Sequence, residues 1–135
     1  ECDCCRLAFS DGKGAYIVPL SFGYDEEENA LYFHGAAEGK KIDLVRRNGY
    51  AGFEMDTAHG LTEAEQACGY SFRYRSVVGE GSIRVVEGAD EKKKGLNCIM
   101  GHMSGKDSWD YPEAMLKRTA VLRLDVEQMS GKEQV

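Results

Sequence analysis

One stretch of the chain decides the fold, and it reads Leu31-Tyr32-Phe33-His34-Gly35-Ala36-Ala37-Glu38-Gly39-Lys40-Lys41. A β-prone aromatic run ends at His34, a loop of small residues follows, and Lys40 and Lys41 open a short helix. Loop amides and a helix N-terminus offer unpaired N–H groups, and two ammonium groups add positive charge. The stretch therefore predicts a phosphate-binding turn between a strand and a helix. The alternative is that the two lysines only form a solvated helix start.

Short strands separated by turn residues make up most of the rest of the chain. Asp11-Gly12-Lys13-Gly14 is typical of a hairpin turn, and the largely acidic segment 25–29 indicates another turn. Pro19 cannot donate to a strand ladder, so we expect an edge, a bulge or a ligand-facing position there. The predicted strands are 4–9, 15–24, 30–34, 50–55, 70–78, 82–87 and 120–127.

Only two helices are predicted. The first covers 40–47 and ends at Asn48-Gly49, and the second carries an apolar stripe of Leu96, Ile99, Met100 and Met103 that we expect to pack on the core. Residues 57–67 are predicted to be loop-like or loosely helical, and 105–113 irregular. Six or seven strands with two short helices favour a mainly β, antiparallel barrel whose ends are covered by helices, because a doubly wound parallel sheet needs a helix after nearly every strand.

Composition sets limits on the class of protein. The 135 residues suit one domain, and a formal net charge of −6 with a pI near 5.1 argues against nucleic-acid or anionic-membrane partners. No run is long enough for a transmembrane helix, and no signal peptide is visible, so we expect a cytoplasmic protein. The chain begins with Glu1 rather than Met, and we expect that the natural N-terminus is missing.

Five cysteines raise the question of a metal site. Cys2, Cys4 and Cys5 form a cluster at the start of the chain, whereas Cys68 and Cys98 are isolated. No fourth ligand for zinc stands at a standard spacing, so we expect reduced thiols, with Cys5 and Cys98 buried, and no metal.

Three segments of the chain match segments of a known protein family in the same order along the sequence. They are residues 15–24, 31–41 and 74–81. The chain resembles the FMN-binding split-barrel superfamily, in particular the nitroimidazole-resistance branch related to pyridoxamine 5′-phosphate oxidase. The resemblance runs from about residue 5 to 132. It implies an antiparallel split β-barrel and a homodimer with FMN, or FAD, at the subunit interface. Its members usually carry a short helix before the first strand.

The resemblance implies roles for individual residues. Lys40 and Lys41 stand where the oxidases place an Arg-Lys pair on the FMN phosphate, and Lys40 lacks the bidentate fork of arginine. Arg75 and Ser76 match positions with further polar contacts, and the flavin ring is expected to lie along one strand segment, namely Val18, Pro19, Leu20 and Ser21.

His34 and Trp109 remain open to two interpretations each. Nitroimidazole-resistance proteins also place a histidine at the position of His34, facing the flavin edge, and a near-neutral pKa suits proton supply. The alternative is a structural histidine at the barrel rim. Trp109, with Tyr111, either covers the flavin or a substrate from the partner subunit or packs at a subunit contact.

The predicted function is an FMN-dependent reductase of small nitro-aromatic, 5-nitroimidazole-like acceptors. Near its end the chain carries Met129-Ser130-Gly131-Lys132, like the nitroimidazole-resistance branch, and residues 1–135 do not include the Trp- and Arg-containing segment that holds substrate phosphate in true pyridoxamine-phosphate oxidases. Two alternatives are a non-catalytic flavin-binding protein for storage or sensing, and a cofactor-free or haem-binding barrel with His34 as axial ligand. The aromatic side of strand 70–78 is predicted to form the dimer surface.

Overall fold

The computed structural model describes all 135 residues and contains seven strands and three α-helices. None of the helices has the length and apolar character needed to cross a membrane. In chain order the elements are β1 (Cys5–Asp11), β2 (Gly14–Leu20), β3 (Phe22–Asp25), β4 (Ala30–Ala36), α1 (Lys40–Asn48), β5 (Tyr50–Thr62), a 3₁₀ turn (Ala67–Gly69), β6 (Ser71–Val85), α2 (Ala89–Ser104), α3 (Glu113–Arg118) and β7 (Thr119–Gln134).

All seven strands form one antiparallel sheet in the order β2-β1-β5-β6-β7-β4-β3. The edge strands β2 and β3 are joined by a single residue, Ser21. Since such a short link cannot span an open sheet, the sheet must curl until its two edges meet. The seam between β2 and β3 carries no ladder, so the barrel is split. This confirms the predicted mainly β, antiparallel split barrel.

The main core fills the barrel. Alternate residues of β1 point inward, as do those of β7, because side chains alternate across a strand. The sixteen buried residues of this cluster are Cys5, Leu7, Phe9, Phe22, Leu31, Phe33, Ile42, Leu44, Val45, Ala51, Phe53, Met55, Ile83, Ala120, Leu122 and Leu124.

Helix α2 covers the outer face of β4 and β7. A second cluster of Tyr32, Val86, Ile99 and Val121 lies beneath it. Gly95 makes this approach possible, since a Cβ there would lie 2.7 Å from the Tyr32 ring. The predicted apolar stripe is therefore only partly correct: Ile99 is buried, but Met103 is 58% exposed because the helix contacts the sheet through its glycine side.

Several predicted boundaries were wrong. The predicted strand 15–24 is broken at Ser21, and its two halves lie at opposite edges of the sheet. The predicted loop at 57–67 is strand as far as Thr62, and the predicted strands 70–78 and 82–87 are one continuous strand, β6, with a bulge opposite β7 between Glu80 and Gly81. Helix α3 was not predicted at all. The strand segments that were missed are largely exposed, so the alternation of apolar and polar residues that identifies half-buried strands is weak there.

The ends of β5, β6 and β7 extend beyond the barrel as a three-stranded ribbon. In it Phe72 pairs with Leu61, and Arg75 pairs with Thr57 and Glu133. Leu61 and Phe72 are 48% and 60% exposed. Such a ribbon has no second layer to cover it within one chain.

A charged network joins the turn before β4 to the sheet. Arg123 is 13% exposed and contacts Glu28 at 2.6 Å, Asp125 at 2.9 Å and the Tyr32 hydroxyl at 2.9 Å, with Glu91 at 3.4 Å. Desolvation lowers the pKa of Arg123, but hydrogen bonds to Asp125 and Glu28 outweigh it and raise that pKa overall. Glu28, predicted only as part of a turn, therefore also anchors that turn to β7 through Arg123.

Replacing Arg123 by alanine is expected to destabilise the protein by about 2–4 kcal/mol, because it leaves several carboxylates without their shared cation. Urea unfolding measures this change in the free energy of unfolding. Arg84→Ala is the matched control, since Arg84 is 49% exposed and contacts only Glu91, and it should cost less than about 1 kcal/mol. Equal losses of stability in the two variants would contradict the role of Arg123 as the shared partner of these carboxylates.

The same network makes stability depend on pH. The hydrogen bond from Lys94 lowers the pKa of Glu28, and the one from Arg84 lowers the pKa of Glu91. The stabilisation that these two ionised glutamates give the folded state is therefore complete above the ordinary glutamate pKa of about 4.3. It declines as the pH falls below that value.

Candidate functional site

Lys41 lies across the end of β4. Its side chain covers Gly35, so any Cβ at that position would collide with the Lys41 ammonium. The ammonium has no carboxylate within 4.0 Å, although the chain is rich in acidic residues, and half-burial lowers the pKa of Lys41. A partly desolvated cation without a counter-ion is a suitable site for an anion. Gly35 was not predicted as a site residue, and its only sequence signal is a glycine directly after the strand's histidine.

Lys40 points elsewhere. Its ammonium lies 2.9 Å from Asp11 Oδ2 and 4.8 Å from the centre of the Tyr16 ring. The predicted pair of adjacent charges therefore does not converge on one place, because the Lys40 charge is already matched by the β1–β2 turn. No local sequence signal identifies Asp11 as the partner of Lys40.

The first turn of α1 adds backbone donors next to Lys41. Gly39 precedes the helix with φ of 135°, in a region that favours glycine, and no side chain caps the helix N-terminus. The first N–H groups of the helix are thus free of side-chain acceptors. Together with Lys41 they form a basic corner between β4 and α1.

His34 lies at the outer face of β4, beside this corner. It pairs with Val121 of β7, and its side chain is exposed. Desolvation, and then the charge of Lys41, lower the pKa of His34, so its imidazole is neutral at neutral pH. Ser21 directly precedes the Phe22–Phe33 pair of the β3–β4 ladder, so it lies toward the same end of β4 as His34. The structure thus brings Ser21, His34 and Lys41 to one corner.

The remaining residues of the predicted flavin strand lie on β2. Val18 and Leu20 pack partly against the barrel core, and Pro19 is exposed on the outer side. Because β2 is an edge strand, the missing N–H of Pro19 costs no ladder bond on the open side. The expected edge position of Pro19 is confirmed.

Arg75 and Ser76 lie in the ribbon. Arg75 binds Glu1 at 3.2 Å and Glu133 at 3.1 Å, and Ser76 stands between Asp56 and Lys132 in the sheet. None of these partners belongs to the corner of Ser21, His34 and Lys41. Within one chain, then, Arg75 and Ser76 are separate from that corner.

Trp109 lies in the segment between α2 and α3. Its indole N–H donates to the Lys106 carbonyl at 2.7 Å, and its backbone N–H donates to Asn97 Oδ1 at 3.2 Å. The Tyr111 hydroxyl donates to the same oxygen at 2.7 Å. The ring remains 39% exposed, and Lys106 lies over it. Hydrogen bonds to nearby residues therefore fix the position of Trp109, and the exposed part of its side chain could contact another molecule.

The fold is that of a split-barrel protein with a basic turn between β4 and α1. Residues 2–133 match the family described as pyridoxamine 5′-phosphate oxidase, and the chain belongs to that family. A search of curated proteins finds no match.

Solved structures give further likenesses. A proposed 5-nitroimidazole antibiotic resistance protein from Bacteroides thetaiotaomicron is 32% identical with a TM-score of 0.83, covering 97% of this chain and 76% of that one. A flavocytochrome from Azotobacter vinelandii is 17% identical with a TM-score of 0.83, covering 99% and 63%. An FAD-binding protein from Mesorhizobium loti is 24% identical with a TM-score of 0.67, covering 98% and 87%. At these identities the last two show the fold alone.

Proposed function

We propose that the protein binds FMN and reduces small nitro-aromatic acceptors of the 5-nitroimidazole type. The observation that carries the proposal is the half-buried Lys41 ammonium, which has no carboxylate partner and lies next to the open N-terminus of α1. That corner suits the flavin phosphate. The 32% identity to the Bacteroides protein supports the acceptor class.

We assign a separate role to each residue of the corner. Lys41 and the first amides of α1 would hold the phosphate, while Pro19 and Ser21 would lie along the ring. The flavin, when bound, supplies the electrons for the reduction. Neutral His34 would donate its ring N–H toward the acceptor, and in its protonated form it would deliver a proton to a reduced oxygen.

The experiment is reconstitution of the purified protein with FMN. Binding at micromolar protein should quench the flavin fluorescence, and a parallel titration with FAD separates the two flavins. Bound FMN with turnover of a 5-nitroimidazole and a nicotinamide donor supports the full proposal. Bound FMN without turnover for any acceptor would favour the storage or sensing alternative, and an intense Soret band in place of flavin absorption would favour haem.

We also propose that the protein is a homodimer, with the ribbon of one subunit closing the flavin site of the other. The exposed pair of Leu61 and Phe72 would then be covered, and Arg75 and Ser76 would reach the site from the partner. Standard interfaces bury about 1,600 Å² in total, and obligate dimers more.

The dimer is tested by sedimentation of the FMN-loaded protein at micromolar concentration. Phe72→Asp should shift it to monomer, because a carboxylate would be buried in the interface. Met103→Asp is the control, since Met103 is 58% exposed but lies on α2, outside both the ribbon and the flavin corner. A wild-type monomer would contradict the proposal, as would dimers in both variants.

A further inference from the structure

Strand β5 contains a bulge with a strained backbone where it enters the ribbon. Its pairing with β6 shifts register between Thr57 and Gly60. Ala58 and His59 therefore stand together opposite one residue, Tyr74. Ala58 has a φ of 58°, in the left-handed region that residues with a Cβ rarely adopt. Bulges re-aim side chains beside active sites, and strained residues cluster at such sites, so the bulge marks His59 as a candidate functional residue.

A carboxylate holds the His59 ring on one face of the ribbon. Nε2 of His59 lies 3.3 Å from Asp56 Oδ2, and the other oxygen of Asp56 lies 3.3 Å from the Arg6 guanidinium. A carboxylate that is itself fixed can orient an imidazole, as it does in acid–base catalytic sites. Because Nε2 faces Asp56, Nδ1 is the ring nitrogen left for another partner. The side chain of His59 is 57% exposed, so such a partner can reach it.

The same face of the ribbon carries Ser76 and Phe72. Asp56 pairs with Ser76, and paired residues of neighbouring strands point to the same side of a sheet. Ser76 and Phe72 are four residues apart on β6, so they also share a side. Thr57 follows Asp56 and points to the opposite side, where its hydroxyl donates to the Glu1 carbonyl. The imidazole therefore stands on the surface proposed to meet the partner subunit and not on the one that Glu1 contacts.

The proposed reaction consumes more protons than one imidazole holds. Reducing a nitro group to a nitroso group takes up two electrons and two protons, breaks one N–O bond and releases one water molecule. The electrons come from the nicotinamide donor through the bound flavin. His34 can supply one of the two protons, because an imidazolium gives up a single proton. A second donor on the other side of the acceptor would complete the balance.

We propose that His59 of one subunit is the second proton donor at the flavin site of the other subunit. His34 gives one proton to the acceptor, and His59 gives the other from Nδ1 to the oxygen that leaves as water. Both imidazoles are then neutral, and each takes up a proton from solvent before the next turnover. The role of His59 rests on the proposed function and on the proposed homodimer.

The first test asks whether His59 lies next to the flavin, and it does not require turnover. Loading the protein with FMN should shift the nuclear magnetic resonance signal of the His59 Cε1–H, because an aromatic ring alters the magnetic field at neighbouring protons. The signal of His102, on α2 outside the site, should stay unchanged. In Phe72→Asp, the expected monomer, FMN should bind without shifting the His59 signal.

The second test is a mixed dimer with His34→Ala in one subunit and His59→Ala in the other. Each variant alone should slow the reduction of a 5-nitroimidazole at least tenfold. In a twofold dimer the mixed form has one site with both substitutions and one with neither, so it should recover about half of the wild-type rate. Two affinity tags isolate the mixed dimer. A mixed dimer of His34→Ala with His102→Ala gives the rate of one intact site for comparison.

The outcomes separate this role of His59 from the proposed function. Failure of the protein to bind FMN, or bound FMN without turnover, would overturn both. Bound FMN with turnover but an unshifted His59 signal would overturn the role of His59 alone. A wild-type rate in both His59→Ala and His59→Gln, neither of which can donate this proton, would do the same. A mixed dimer as slow as its two parent dimers would show that His34 and His59 do not share a site, and it would also overturn the proposal.

Discussion

Lys41→Ala is expected to weaken FMN binding by about 10- to 150-fold. The variant removes the only charged group at the corner that has no counter-ion, and hydrogen bonds to charged groups contribute about 1.5–3 kcal/mol. Burial has already removed part of the hydration of this ammonium, so less desolvation remains to oppose binding. Fluorescence titration of FMN at low ionic strength measures the change, and the difference between wild type and variant should shrink as salt is added.

Lys40→Ala is the matched control, because it removes the same charge from the neighbouring position. The Lys40 ammonium is occupied by Asp11 and Tyr16, so its loss should change FMN affinity by less than about threefold. Lys41→Arg should have part of the wild-type FMN affinity. It keeps the positive charge, but the larger guanidinium group has little room over Gly35. A large loss in Lys40→Ala with no loss in Lys41→Ala would move the phosphate to the other lysine.

The contrast between the two lysines shows why the site was only partly predictable. Adjacent residues of a helix point about 100° apart, so Lys40 and Lys41 cannot both face one ligand along the same direction. Which of them faces the site depends on where Asp11 lies, and the β1–β2 hairpin places that carboxylate. The sequence indicates the basic turn, but long-range packing selects the lysine.

The fold was predictable where local chemistry and burial agree. The hairpin turn at residues 11–14, the strand that ends in His34 and the helix closed by Gly49 all combine a periodic pattern with a turn or cap residue. Gly49 indeed adopts the left-handed conformation, with φ of 62°. Local signals of this kind act over a few residues and need no knowledge of the rest of the chain.

The ribbon and the charged network were not predictable for the opposite reason. Residues 57–62 are strand because they pair with β6, and their own polar composition carries no strand pattern. Glu28 is structural because Arg123 lies within 2.6 Å of it, and the two are far apart in the sequence. In both cases a distant segment of the chain decides the outcome.

His34→Ala is expected to slow the reduction of a 5-nitroimidazole at least tenfold while leaving FMN affinity nearly unchanged. Reduction of a nitro group consumes protons as well as electrons, and a positioned acid typically contributes about 10²–10⁴-fold. His34 carries no ion pair and lies next to Lys41, whose charge helps to lower the pKa of the imidazole. It should therefore affect the rate more than the affinity. Single-turnover measurements with pre-reduced flavin separate this step from the supply of electrons.

The pH profile distinguishes proton supply by His34 from a merely structural role. Because its pKa is lowered, the protonated fraction of His34 is small at neutral pH and grows as the pH falls toward and below the ordinary value of about 6.5. The wild-type rate should rise with that fraction, and His34→Ala should lose this part of the profile. His102→Ala is the control, since His102 is exposed near the end of α2 and its Nε2 lies 2.7 Å from the Cys2 carbonyl. If His34→Ala binds FMN and keeps both the wild-type rate and the wild-type pH profile, His34 has only a structural role at the barrel rim. The protons must then reach the acceptor from water or from the partner subunit.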